Sequence, residues 1–121
     1  MNKIKHFIQS RIASFSYAFQ GIVPVVKHEC NMRIHIVAAI AVIAAGLCFN
    51  LQAWEWICVT IAIGTVFTAE FFNSAIETLA NVVCKEKNAD IKKVKDIAAA
   101  AVLMSAIAAA VIGCIIFVPK F

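Results

Sequence analysis

The stretch ICVTIAIGTVFTAEFFNSAIETLANVVC, residues 57–84, decides the fold. Its only charged residues are Glu70 and Glu77. It is long enough to cross a hydrocarbon core, which takes about 20 helical residues. Glu70 and Glu77 are seven residues apart, two helical turns, so both carboxylates lie on one face. Asn73, Ser74 and Asn81 fall on the same stripe, and Phe67, Phe71, Ile76 and Val82 on the opposite one. The segment reads as a membrane helix with one polar seam and one oily seam.

Two further apolar runs flank it. Residues 34–51 read IHIVAAIAVIAAGLCFNL and residues 97–118 read IAAAAVLMSAIAAAVIGCIIFV. Spanning backbone must bond to itself, and three segments cannot close a barrel, so all three are expected to be helices. Composition agrees. Of the 121 residues, 63% are hydrophobic and 15% charged. Soluble domains run near 45–50% apolar and about 25% charged. A soluble globular domain, a disordered chain and a coiled coil are all disfavoured.

The basic residues orient the spans. Lys3, Lys5, Arg11, Lys27 and Arg33 precede the first, and Lys85, Lys87, Lys92, Lys93 and Lys95 join the second to the third. Residues 50–56 have no basic residue, and only Lys120 follows the third span. Ten of the eleven positive charges therefore share one side. By the positive-inside rule that side, with the N-terminus, is cytoplasmic. Trp54 and Trp56 then sit at the outer interface. The expected location is the bacterial cytoplasmic membrane, crossed several times.

Residues 3–29 differ. Ile4, Phe7, Ile8, Ile12, Phe15 and Phe19 recur at roughly helical spacing, with Lys3, Lys5, Gln9 and Ser16 between them. This predicts an amphipathic helix on the membrane surface, broken near Gly21 and Pro24. There is no sustained apolar run or cleavage site of a signal peptide. The five cysteines form no CxxC pair and read as small hydrophobes. The whole chain, residues 1–121, reads as one domain.

Acids inside a membrane helix are costly and point to function. At 1.5 Å per residue from Ile57, Glu70 lies roughly 20 Å and Glu77 roughly 30 Å along the helix. Glu77 then reaches the cytoplasmic interface while Glu70 stays below it. One carboxylate can meet water, metal or nucleotide, the other a lipid head. A purely structural role is weakened because the spans contain no Lys or Arg to pair with. Glu29 and Asp96 fall at the same level, offering a carboxylate for Mg²⁺ beside cations for phosphate oxygens. Lys92 and Lys93 read as a solvated basic flank. His28 and His35 read as interfacial or packed, because no third ligand completes a metal site. There is no GxxxxGK(S/T) loop, no GxGxxG and no HRD or DFG pattern. The net charge of +4 follows from topology, and no nucleic-acid partner is expected. These residues describe a small membrane enzyme with an interfacial acidic site, or a proton-coupled transporter using Glu70 and Glu77.

Four strings narrow this. Glu70-Phe71-Phe72-Asn73-Ser74-Ala75-Ile76-Glu77 is similar to the ExxN(S/T)AIE signature of the small bacterial integral-membrane lipid kinases, the diacylglycerol and undecaprenol kinases. Lys95-Asp96 with Ala98 to Leu103 resembles their KDxAAxAVL, Glu29 to His35 their ExNxRIH, and Ser14 to Gly21 their SFxYAxxG. The resemblance runs from about Arg11 to Lys120. It implies a homotrimer with a surface helix and three membrane helices per subunit. It also implies Mg²⁺-dependent transfer of the γ-phosphoryl group of ATP to a lipid hydroxyl. By matching motif, Glu70 would be the catalytic base, with Ala99 beside the lipid. Glu29 and Glu77 would hold the metal. Tyr17, Asn73, Lys95 and Asp96 would serve the nucleotide, as would Glu86, Asn88 and Arg11. Asn81 stands where many relatives have Asp. The ExNxRIH string, Glu55-Trp56 and Ile116 to Lys120 look closer to the undecaprenol branch.

Overall fold

The computed structural model describes residues 1–121 and is entirely helical. Helix α1 spans Asn2–His28, α2 Cys30–Cys48, α3 Ala53–Val83 and α4 Ala89–Phe117, followed by a short 3-10 turn at Val118–Lys120. Helices α2, α3 and α4 are long and apolar enough to cross a membrane.

Each spanning helix starts before its apolar run, because capping and not hydropathy sets the ends. At α3 the Glu55 Oε1 accepts the Gln52 N–H at 3.0 Å, one turn back. At α4 the Asn88 side chain accepts the N–H groups of Asp90 and Ile91 at 2.8 and 3.3 Å. The helix is thus under way two turns before the apolar run at residue 97. The expected break at Gly21 and Pro24 is absent, and α1 runs through both. Pro24 removes only its own N–H bond, and the chain turns instead at Glu29, whose backbone is extended (φ −97°, ψ 110°). The turn between α2 and α3 is tight and places Asn50 at φ 52°, a conformation Asn tolerates better than most residues.

Helices α3 and α4 form the central antiparallel pair, α2 lies more lightly on α3, and α1 touches α2 and α3. Only 13 of 121 residues are buried, so one chain alone has little interior. Ile61, Phe72, Leu79, Leu103 and Met104 face outward, as side chains do where lipid or another helix replaces water.

The end of the bundle nearest the α2–α3 turn is the best packed. Leu51, Val59 and Ile116 form its buried core, with Trp56 and Phe117 against it. Phe49 stacks edge-on with Phe117 and Phe121, at 6.2 and 5.1 Å between ring centroids. Lys120 reaches Glu55 at 3.1 Å and ties the C-terminal turn to the start of α3. Here Gly46 lets α2 approach Trp56. A Cβ at position 46 would fall 2.6 Å from Trp56 Cη2 and 2.9 Å from Leu51 Cδ1. Gly46→Ala is expected to lower stability by about 1–3 kcal/mol, the usual penalty of overpacking. Gly64→Ala, where a Cβ meets open space, is expected to leave it unchanged or raise it. Thermal loss of helical circular dichroism in micelles compares the two.

Candidate functional site

Glu70 sits in the middle of α3, with 0% of its surface exposed. Neither of its carboxylate oxygens has a hydrogen-bond partner, and the buried Asn73 Oδ1 and Ser74 Oγ also lack one. From Glu70 to Ser74 the polar seam read from the sequence therefore faces inward and leaves a run of unused polar atoms there, while Asn81, at its end, is exposed. A buried carboxylate is normally paired. The charged contact of Glu70 is His35 on α2, with Nε2 at 3.5 Å from Oε2. Glu29 and Glu77 also lie close enough for their charges to act on Glu70. Both are half-buried, Glu29 at the turn from α1 to α2 and Glu77 two turns along α3 from Glu70. Glu29 and Glu77 thus stand near Glu70, with Glu77 about 10 Å further along α3.

Beyond Glu77 the bundle opens into a polar cleft of about 520 Å³ between the end of α3, the α3–α4 loop and the start of α4. Glu86, Asn88 and Lys95 line it, with Asn81, Lys85 and Lys92. Lys95 Nζ donates to Asn81 Oδ1 at 2.7 Å, across the two helices. A neutral amide fixes the lysine without cancelling its charge, which remains available to an anion. Asp96 pairs with Lys92 one turn back on the same exposed face, at 2.6 Å. Tyr17 and Ala99 are exposed, on α1 and α4. The contacts of Arg11 stay within α1: its guanidinium lies 5.4 Å from the Phe7 ring centroid and donates to Ser10 Oγ at 3.2 Å.

No three His, Cys, Asp or Glu side chains gather as a complete metal cage. Glu29 and Glu77 supply hard oxygen donors, which suit an ion that takes one or two carboxylates and completes its shell with water and phosphate. The arrangement offers a buried proton acceptor, two carboxylates for a hard cation, and a cationic cleft.

Two contacts escaped the sequence reading. From the sequence, His35 reads as interfacial or packed, with no partner. Its signal was the lack of any Lys or Arg within the spans, which leaves histidine as the one available partner for Glu70. The Lys95–Asn81 bond could have been found from the antiparallel α3–α4 pairing, which sets the two opposite one another.

The model of the family described as prokaryotic diacylglycerol kinase matches residues 16–117. An undecaprenol kinase of Bacillus subtilis is 34% identical over 119 residues, covering 98% of this chain and 94% of its own. A diacylglycerol kinase of Synechocystis is 31% identical over 109 residues, 89% of this chain and 62% of its own. The chain belongs to the prokaryotic diacylglycerol kinase family. It is a membrane lipid kinase, and it phosphorylates a lipid alcohol. The transporter alternative finds no support in this kinship.

For a lipid kinase the Lys95–Asn81 bond has a direct consequence. Asn81→Ala releases Lys95 from its fixed position at the cleft and is expected to raise KM for ATP about 3- to 10-fold, the loss of roughly one hydrogen bond. The value of kcat should stay within twofold. Steady-state kinetics with ATP varied at saturating lipid measure both.

Proposed function

We propose that this chain transfers the γ-phosphoryl group of Mg²⁺-ATP to the terminal hydroxyl of undecaprenol, giving undecaprenyl phosphate and ADP. The observation that carries the reading is Glu70, wholly buried in a membrane-spanning helix with both carboxylate oxygens free of hydrogen bonds. An acceptor kept dry and unused at lipid depth suits the proton of a lipid alcohol.

In the reaction the lipid oxygen forms a bond to the γ-phosphorus, the bond from that phosphorus to the β–γ bridging oxygen breaks, and ADP departs. The hydroxyl proton passes to Glu70. Phosphoryl transfer depends mainly on alignment and on balancing negative charge. Lys95, held by Asn81 at the cleft, supplies positive charge to the phosphates. Asn73, Glu86, Asn88 and Asp96 complete the nucleotide side, with Tyr17 and Arg11 from α1. Ala99 lies beside the lipid. Glu29 and Glu77 hold Mg²⁺, which when bound neutralises charge on the phosphate oxygens.

Ten of eleven basic residues lie on the side of the cleft, so that side faces the cytoplasm, where ATP is. We place the chain in the bacterial cytoplasmic membrane with its N-terminus inside and α1 along the surface. The apolar residues exposed on the single chain support assembly as a homotrimer. Undecaprenol is favoured over diacylglycerol by the relative that aligns with nearly the whole of both chains.

The test is competition. Purified protein in micelles is given γ-labelled Mg²⁺-ATP with equal undecaprenol and diacylglycerol. The expected result is undecaprenyl phosphate in several-fold excess. A predominance of phosphatidic acid would reassign the lipid, and label in neither would contradict the kinase reaction as written. Glu29→Gln and Glu77→Gln are each expected to raise the half-saturating Mg²⁺ concentration about 10-fold or more. An unchanged Mg²⁺ titration in both would remove them as metal ligands.

A further inference from the structure

We propose that His35 is a positioning residue for Glu70: its Nε2, 3.5 Å from Oε2, donates to that oxygen when the lipid is bound and fixes the carboxylate so that Oε1 is left to meet the lipid hydroxyl. This rests on reading Glu70 as the base.

Three observations carry it. First, Nε2 lies 3.5 Å from Oε2. Second, the charged groups acting on Glu70 are His35, Glu29 and Glu77, so His35 alone among them can donate to it, and the other donor beside the carboxylate, the Asn73 amide, belongs to the same helix. Third, the contact is sheltered. The His35 side chain is 18% exposed and that of Glu70 0%. His35 also forms one end of an apolar groove of about 290 Å³ lined by Ala39, Val42, Val66, Phe67 and Ala110.

The separation is longer than a well-formed hydrogen bond. Such contacts commonly tighten only when the substrate is bound. Without the donor, the carboxylate keeps its place in α3 but loses a fixed orientation. A small misalignment of a reacting group lowers the rate of the chemical step. Nothing in the contact reaches the nucleotide cleft, so ATP binding should be indifferent to it.

The experiment compares His35→Phe, which keeps a ring without the donor, with His35→Gln, which keeps an N–H donor. Each is made in the wild-type chain and in Glu70→Gln, and each is first checked for wild-type elution in detergent. Should His35→Phe fail that check, His35→Leu takes its place. His35→Phe is expected to lower kcat about 10- to 100-fold, the usual range for residues that orient a functional group, with KM for ATP within twofold. His35→Gln should recover most of that loss. In the Glu70→Gln background, His35→Phe should cost less than twofold, because the two residues act as one unit. Wild-type kcat in His35→Phe would overturn the proposal. So would equal losses in the Phe and Gln variants, or an undiminished loss in the Glu70→Gln background. Full transfer by Glu70→Gln alone would instead overturn the reading of Glu70 as the base, whatever His35 does.

Discussion

A carboxylate buried inside a membrane-spanning helix is the constraint around which this protein is built. Placing an acid at that depth costs about 2.5–3.5 kcal/mol even on the lenient insertion scales. Glu70 is not given the Lys or Arg that would offset the cost. Its contact is an imidazole at 3.5 Å, and the nearby charges of Glu29 and Glu77 are like its own. A merely structural acid would be better served by a basic partner. The proposed base, which exchanges a proton with a lipid, is better served by a weak one.

Such a group needs helices that hold it still, and the α3–α4 pair provides them by pinning both ends. At one end Glu55 accepts the Gln52 N–H and meets Lys120, beside a cluster of aromatic rings and the close approach at Gly46. At the other, Asn81 holds Lys95, and the same residues form a wall of the polar cleft. The firmer end lies away from the cleft. On the proposed reading the cleft admits and releases the nucleotide from the water side, while the lipid approaches Glu70 from the membrane side.

Much of this was legible in the residues. Spans show plainly because the bilayer imposes a length and forbids unpaired backbone, and Glu70 stands out because nothing else in the apolar run 57–84 but Glu77 is charged. Helix ends were less legible. Asn88 starts α4 well before the apolar run, and Glu29, rather than Gly21 or Pro24, ends α1, because local capping and backbone geometry decide ends independently of hydropathy. Pairings between helices were the least legible. His35 with Glu70, Asn81 with Lys95 and Glu55 with Lys120 join residues 35, 14 and 65 positions apart, and only the packing of the bundle brings them together. The chemistry itself rested on likeness of motif, since no spacing of carboxylates distinguishes a kinase from another acid-dependent membrane protein.

The most direct measurement is a single-turnover transfer of γ-labelled phosphate from pre-bound Mg²⁺-ATP to undecaprenol in micelles, comparing the wild-type chain with Glu70→Gln and measuring ATP affinity separately. General-base removal typically slows a step about 10²- to 10⁴-fold. The account predicts a loss of that size with ATP affinity unchanged. Transfer at the wild-type rate by Glu70→Gln, folded and loaded with ATP, would contradict it.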